Sequence, residues 1–476
     1  MEIAARYGAQ FLVVIILARL LTPTDFGLIA MLLVFTSIAG LLVDSGFSTA
    51  LIQKQNTSND DETTALATGL AISIAVGLAL WMAAPAIARF YSQPVLTRLT
   101  RLMVVVLPLS ALAAVPDALL TQRLDFRSRA TAEIFASLGS GSMAVFLAWR
   151  GFGVWSLAWQ SIVAIGIRGL LLWLYSGWLP RGRFRIASFR RLFSFGSYML
   201  MANLLNTFSI RLQSLLIGRM FDSRALGYYT LAQNTQQAPA QFMSSLLNRV
   251  GLPVFSTVAD QRAKLVGALR LSLRVALFAF VPSMVGIAVV AKPLIGLLYG
   301  ERWLAAAPLL SILALSATFW PLHVLNLAAI GAKGRSDLIF RLEIVKHVVS
   351  ISLIFACSLG GPTAIAWAVL ASSMIAVAIN TWYTHKLLGY GVLAQLHDQV
   401  GTLMLSAFAA LAGWSVMRLL NVGVWSMLLA ITTAAVVYLA GAALIRHPAL
   451  RDLKALAFTL REGNGSQPLV NRGPGS

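Results

Sequence analysis

Four ionisable side chains of this 476-residue chain sit inside long apolar stretches: Arg6, Asp44, Arg168 and Arg211. An ionisable group at the centre of a membrane helix costs about 2.5–3.5 kcal/mol on insertion scales, so it usually faces a cavity or a partner. A guanidinium binds phosphate oxygens bidentately, and three arginines in apolar segments would suit a concentrated anion. The competing reading is an arginine that snorkels to lipid headgroups. Both readings stand open for Arg6, near a stretch end, whereas Arg168, nearer mid-stretch, favours the cavity. Arg19 and Arg219 lie at stretch ends and read as interfacial anchors. Asp44 either pairs with one of the cavity arginines or closes a helix end.

A second pattern is made of amides. Gln233, Asn234, Gln236, Gln237 and Gln241 crowd a single apolar stretch, and positions 233, 237 and 241 share one helix face. Asn203 and Asn206 form a smaller i, i+3 pair upstream. Amides both donate and accept, which matches sugar hydroxyls. The alternative is hydrogen bonding between helices, worth only about 0.6 kcal/mol on average in membranes. Five amides in one helix exceed what packing needs, which favours the sugar-facing reading. Trp320, His323 and Asn326 form a weaker third set. Pro116, Pro282 and Pro321 interrupt apolar stretches, as bending points or as fixed kinks.

The elements that must position these residues are membrane spans. Hydrophobic residues make up 58% of the chain, charged residues 11%, and the mean hydropathy is +0.79, so the apolar surface cannot be hidden in a soluble core. About fourteen stretches have the roughly 18–25 residues that a helix needs to cross hydrocarbon. They fall near 3–21, 28–50, 64–86, 99–120, 131–149, 153–175, 193–217, 227–248, 271–291, 308–330, 338–359, 363–384, 400–418 and 424–445. Alternate connectors are rich in Arg and Lys, among them Arg181, Arg183, Arg185, Arg190 and Arg191; the intervening ones are short and poor in both. The positive-inside rule then predicts cytoplasmic N- and C-termini. The formal charge of +20 is divided among separate short loops, which excludes a nucleic-acid-binding domain.

Cys357 is the only cysteine and the five histidines show no ligand spacing, so no metal centre is expected. The chain starts almost inside its first span without the usual basic lead, and residues ahead of Met1 are expected. The Gly/Ser/Pro/Asn-rich end, 463–476, is expected to be disordered.

Two segments repeat at an offset of about 200 residues. LARLLTPTDFG (17–27) and IGRMFDSRALG (217–227) each place an Arg at a span end (Arg19, Arg219) and a Gly eight residues on (Gly27, Gly227). Pro116 and Pro321, and Gly153 and Gly361, are weaker echoes. Six spans separate the copies, so both enter the membrane in the same direction, as in transporters built from two lobes about an axis along the membrane normal. The expected fold is an all-α polytopic membrane protein of about fourteen transmembrane helices: two six-helix lobes in parallel pseudo-two-fold repeat plus two C-terminal helices. The N-terminal lobe is 1–175, the basic cytoplasmic connector 176–192 and the C-terminal lobe 193–384. Spans 13 and 14 occupy 385–445, and a cytoplasmic tail 446–476.

Five stretches, LARLLTPTDFG (17–27), DSGFSTALIQKQ (44–55), QRLDF (122–126), GYYTLAQN (227–234) and YGERW (299–303), in this order, resemble the polysaccharide-exporter branch of the multidrug/oligosaccharidyl-lipid/polysaccharide superfamily. Within it the chain is most similar to Wzx-type flippases of the colanic-acid-exporter-like group. The resemblance implies a bacterial inner-membrane transporter that moves undecaprenyl-pyrophosphate-linked oligosaccharides from the cytoplasmic to the periplasmic leaflet. Such a protein would work beside a polymerase and a chain-length regulator in surface-polysaccharide synthesis. Arg6, Arg168 and Arg211 would then face the pyrophosphate; Asn203, Asn206, Gln233, Gln237 and Gln241 the sugars; and Asp44 would be a charge partner. No cofactor is implied, and proton or sodium coupling stays open. Where the family often carries Asp in the seventh span this chain has Gln213, so a coupling role for that Asp does not carry over.

A drug/cation antiporter of the same broad fold would need an intramembrane carboxylate cluster; deep carboxylates here are chiefly Asp44 and Asp117. A polysaccharide polymerase or ligase would need a long outer loop bearing catalytic residues, and no outer connector much exceeds about 16 residues. The sequence therefore reads as a transporter and not an enzyme.

Overall fold

The computed structural model describes the backbone of residues 2–54, 57–420 and 423–453, with all side chains there except those at 2–7, 9, 195, 198, 202, 242, 244–246, 248–254 and 336. Every regular element among the described residues is helical. A helix satisfies its backbone polar groups internally, as hydrocarbon demands. Ten helical segments among the described residues are long and apolar enough to cross a membrane. The protein is an all-α, multi-pass membrane protein.

The structure divides into two compact units, Met1–Leu231 and Ala232–Ser476. The first holds α1 (Glu2–Leu20), α2 (Pro23–Asp44), α3 (Phe47–Gln53), α4 (Asn59–Phe90), α5 (Val95–Met103), α6 (Val106–Gln122), α7 (Phe126–Trp149), α8 (Val154–Ser176) and α9 (Ile186–Met220). The dividing point falls within α10 (Ser223–Thr257). It differs from the lobe boundary read from the sequence at 176–192 because α9 packs along α2, α3 and α4. The second unit continues with α11 (Arg262–Val289), α12 (Ala291–Tyr299), α13 (Ala307–Ala317), α14 (Trp320–Ala332), α15 (Ser336–Cys357), α16 (Gly361–Leu388), α17 (Val392–Leu419) and α18 (Val424–Leu444).

Local chemistry sets the element ends. Thr22 caps α2: its hydroxyl accepts from the Asp25 amide, and the Asp25 carboxylate takes the Thr22 amide at 2.9 Å. Ser45 adopts a left-handed conformation (φ 47°) that ends α2, so the stretch expected at 28–50 is two helices. The stretches expected at 99–120 and 308–330 are likewise divided, into α5 and α6 and into α13 and α14. Pro321 sits in the first turn of α14, where its missing amide is not needed; it marks a restart, whereas Pro116 and Pro282 lie inside helices.

Small residues bring the helices of the first unit together. Ala132, Ala136, Ser140, Ala144 and Ala148 recur every fourth residue on the buried side of α7, which packs on α1 and α8. Small side chains let backbones approach where lipid gives no hydrophobic drive for association. The second unit instead uses a leucine face. Leu265, Leu269, Leu273 and Leu277 of α11 pack on Leu322, Leu325 and Ala329 of α14 and on Val377 and Leu388 of α16.

Candidate functional site

Arg168, on α8, is enclosed by acid. Its Nη2 lies 3.0 Å from an Asp117 oxygen on α6, and its Nε lies 3.0 Å from a Glu133 oxygen on α7. Arg129, also on α7, reaches the other Asp117 oxygen at 2.7 Å. Two cations and two anions thus join three helices in a neutral cluster. The expectation of Arg168 as a free anion receptor meets a plain obstacle: its charge is already balanced. Glu133 did not stand out in the sequence, although Arg129 and Glu133 lie four apart on one helix face and form a readable pair.

Arg211, on α9, contrasts with it. It is partly buried and has no acidic or hydrogen-bonding partner among the described residues. Asn203 and Thr207 precede it at four-residue steps and are also partly buried, so the three make a polar side on an otherwise apolar helix. Asn206 is exposed. Gln213 has a structural use: its Oε1 accepts a 2.6 Å hydrogen bond from the hydroxyl of the fully buried Tyr229.

On α10, Gln233, Gln236 and Gln237 are partly buried and Asn234 and Gln241 exposed. None of the five has a hydrogen-bond partner among the described residues, so they do not serve interhelical bonding there. Asn326, of the weaker third set, is by contrast fully buried and locked to Gln395 by reciprocal amide bonds of 3.0 and 2.9 Å. His323 lies 3.3 Å from Asn380.

Asp44 accepts a hydrogen bond from Ser48 across the turn between α2 and α3, and no cation lies in ion-pair range of it among the described residues. Of its two sequence readings the helix end is the one observed. The turn at Ser45 brings the carboxylate to Ser48 of α3. The Arg6 side chain lies outside the described residues.

The basic connector has a fixed seat that the sequence did not reveal. Arg183 N donates to Asp60 at 2.8 Å, Arg185 pairs with Asp60 at 2.6 Å, and Arg191 pairs with Asp61 at 2.6 Å. Lys54 also pairs with Asp61, and Trp178 Nε1 donates to Glu62 at 2.6 Å. The acids occupy the first turn of α4, where the helix dipole favours negative charge, and Ser58 and Asp61 form its capping box. That capping pattern is the signal in the sequence that would have found them.

Residues 16–308 match the family described as "Polysaccharide biosynthesis protein". The teichuronic acid biosynthesis protein TuaB of Bacillus subtilis (strain 168) is 26% identical over 374 residues, 77% of this chain and 77% of TuaB. The succinoglycan biosynthesis transport protein ExoT of Rhizobium meliloti (strain 1021) is 29% identical over 310 residues, 65% of this chain and 63% of ExoT. Among solved structures, the lipid II flippase MurJ in an inward closed conformation superposes with a TM-score of 0.79. The match covers 94% of this chain and 98% of that one at 14% identity, a likeness of fold. With well over half of its length matched, this chain belongs to the polysaccharide biosynthesis protein family.

Proposed function

We propose that the protein flips undecaprenyl-pyrophosphate-linked oligosaccharide repeat units from the cytoplasmic to the periplasmic leaflet by alternating access, in the synthesis of a surface polysaccharide. The observation that carries this reading is Arg211: a partly buried guanidinium on a helix that runs through apolar sequence, with no carboxylate to balance it among the described residues. Such a group is costly in a bilayer and is retained for an anionic partner. Pyrophosphate supplies that charge, and the amides of α10, without hydrogen-bond partners among the described residues, suit the sugar hydroxyls attached to it. Arg168 takes a secondary part because Asp117 and Glu133 already hold it.

Family membership, a relative named as a transport protein and a fold shared with a flippase support transport over catalysis. We place fourteen crossings in the inner membrane with both termini cytoplasmic, two six-helix lobes and two further helices. The alternation of basic and charge-poor connectors supports this orientation. A polymerase and a chain-length regulator are the expected pathway partners.

The test is a clean deletion in a strain without a second exporter. Lipid-linked repeat units should accumulate on the cytoplasmic leaflet and surface polymer should stop. Normal surface polymer in that strain rejects the flippase reading.

A further inference from the structure

The two copies of the repeat meet at their glycines. Gly27 is the fifth residue of α2 and Gly227 the fifth of α10; both are buried, and their helices are capped at Thr22 and Asp222. A Cβ on Gly27 would overlap the carbonyl oxygen of Ser223, and a Cβ on Gly227 would overlap that of Pro23. The same imagined atoms would lie 2.5 and 2.6 Å from the two carbonyl carbons and 3.0 and 3.1 Å from the two Cα atoms. The agreement within 0.1 Å makes the contact reciprocal. Each helix places its first-turn carbonyl on the other helix's glycine.

We propose that this reciprocal glycine contact is the extracytoplasmic seal of the transporter, closed here and parted when cargo leaves. The proposal rests on the flippase reading for its cargo and its sidedness. Three properties of the contact fit a seal. Backbone touches backbone with no side chain between, so water has no path through it. The residues at its rim, Phe26 and Leu226, are apolar and buried. The attraction across it is of the weak Cα–H···O kind, which closes easily and parts easily. Both first turns belong to charge-poor connectors, which the topology assigns to the outside. Only glycine permits the approach. Alanine at either position must push the turns apart by about 1.5 Å to restore an ordinary carbon–oxygen separation.

The experiment uses the full-length transporter in cells, with Cys357 replaced by serine. A cysteine at Leu226, a fully buried residue of the rim, reports closure through its reaction with a membrane-impermeant maleimide applied outside. With both glycines present it should react slowly. Adding Gly27→Ala or Gly227→Ala should raise the rate at least tenfold while export falls. Equal labelling with and without the alanines overturns the proposal, as does labelling that appears only when the cytoplasmic face is opened. Because an alanine variant could fail to fold, a second arm leaves both glycines intact. Cysteines at Thr24 and Arg224, equivalent residues of the two first turns, are bridged by a reducible bifunctional thiol reagent. Export should stop on bridging and return on reduction; undiminished export by bridged protein overturns the seal. Neither labelling result depends on what the cargo is, so failure of the flippase reading in the deletion strain is a separate outcome.

Discussion

Two arginines with the same sequence credentials have different prospects. Arg168 has two carboxylates within 3.0 Å, and Arg211 has no partner among the described residues. Their replacements should therefore fail in different ways. Arg211→Gln should insert and accumulate normally yet lose export. One charge-assisted contact of about 1.5–3 kcal/mol corresponds to a roughly 10- to 150-fold weaker substrate complex. Arg211→Lys should keep part of it, because charge survives and bidentate geometry does not. Arg168→Gln should instead lower melting temperature and membrane abundance, since it leaves Glu133 without a cation at a cost of up to about 3 kcal/mol. Adding Glu133→Gln should restore much of that loss. Export per molecule and thermal melting in detergent separate the two cases. Full export by Arg211→Gln at matched abundance would remove Arg211 from the site. The sequence showed both arginines as isolated charges in apolar text; it could not show which had company, because Asp117 and Glu133 meet Arg168 only across three packed helices.

At the scale of elements, the end of the chain offers a pH test. His447 follows α18 and is 4% exposed, stacked on Phe278 with ring centroids 5.2 Å apart. The Ala449 amide donates to its Nδ1 at 3.2 Å, so that nitrogen must be unprotonated. Burial first, and then the nearby Arg274 guanidinium, hold the imidazole below the ordinary histidine range. The unfolded chain then takes up a proton, near its usual pKa of about 6.5, before the folded one does. Stability from this group is complete above that value and is lost as pH falls from there toward the lower folded pKa. The melting temperature should drop between about pH 8 and about pH 5.5, and less so in His447→Asn, whose side-chain oxygen can still accept the Ala449 amide. Identical pH slopes for the two proteins would discount the group. Helix positions were well marked in the sequence, because apolar length is a strong signal in a membrane protein. The breaks within three of the expected spans were not, since the Ser45-Gly46 turn signal is outweighed by the apolar length on either side of it and Pro321 reads equally as a kink or a start.

For the whole molecule, the repeat was the most informative feature of the sequence. The offset of 200 residues between Gly27 and Gly227 proves to be a spatial contact as well as a textual echo. The division into units was less legible: α9 belongs to the second repeat by sequence and packs on the first unit's helices. The proposed orientation can be checked with single cysteines in the Cys357→Ser background. An impermeant thiol reagent on intact cells should label a cysteine at Arg224 and spare one at Arg181. Both side chains are exposed, so only the membrane separates them. The reverse pattern would invert the topology.

The neutral cluster of Asp117, Arg129, Glu133 and Arg168 also bears on how the protein is made. Asp117 and Arg129 can pair as soon as α6 and α7 exist, but Glu133 has no cation of its own until α8 emerges. Arg168 is 35 residues behind Glu133, which at about 5–20 residues per second is roughly 2–7 s of synthesis. During that interval Glu133 is the one member of the cluster without a cation. Insertion of the three helices should therefore be coupled: a chain stopped before Arg168 should hold α7 less firmly in the bilayer than one that continues through α8, as carbonate extraction of truncated chains would show.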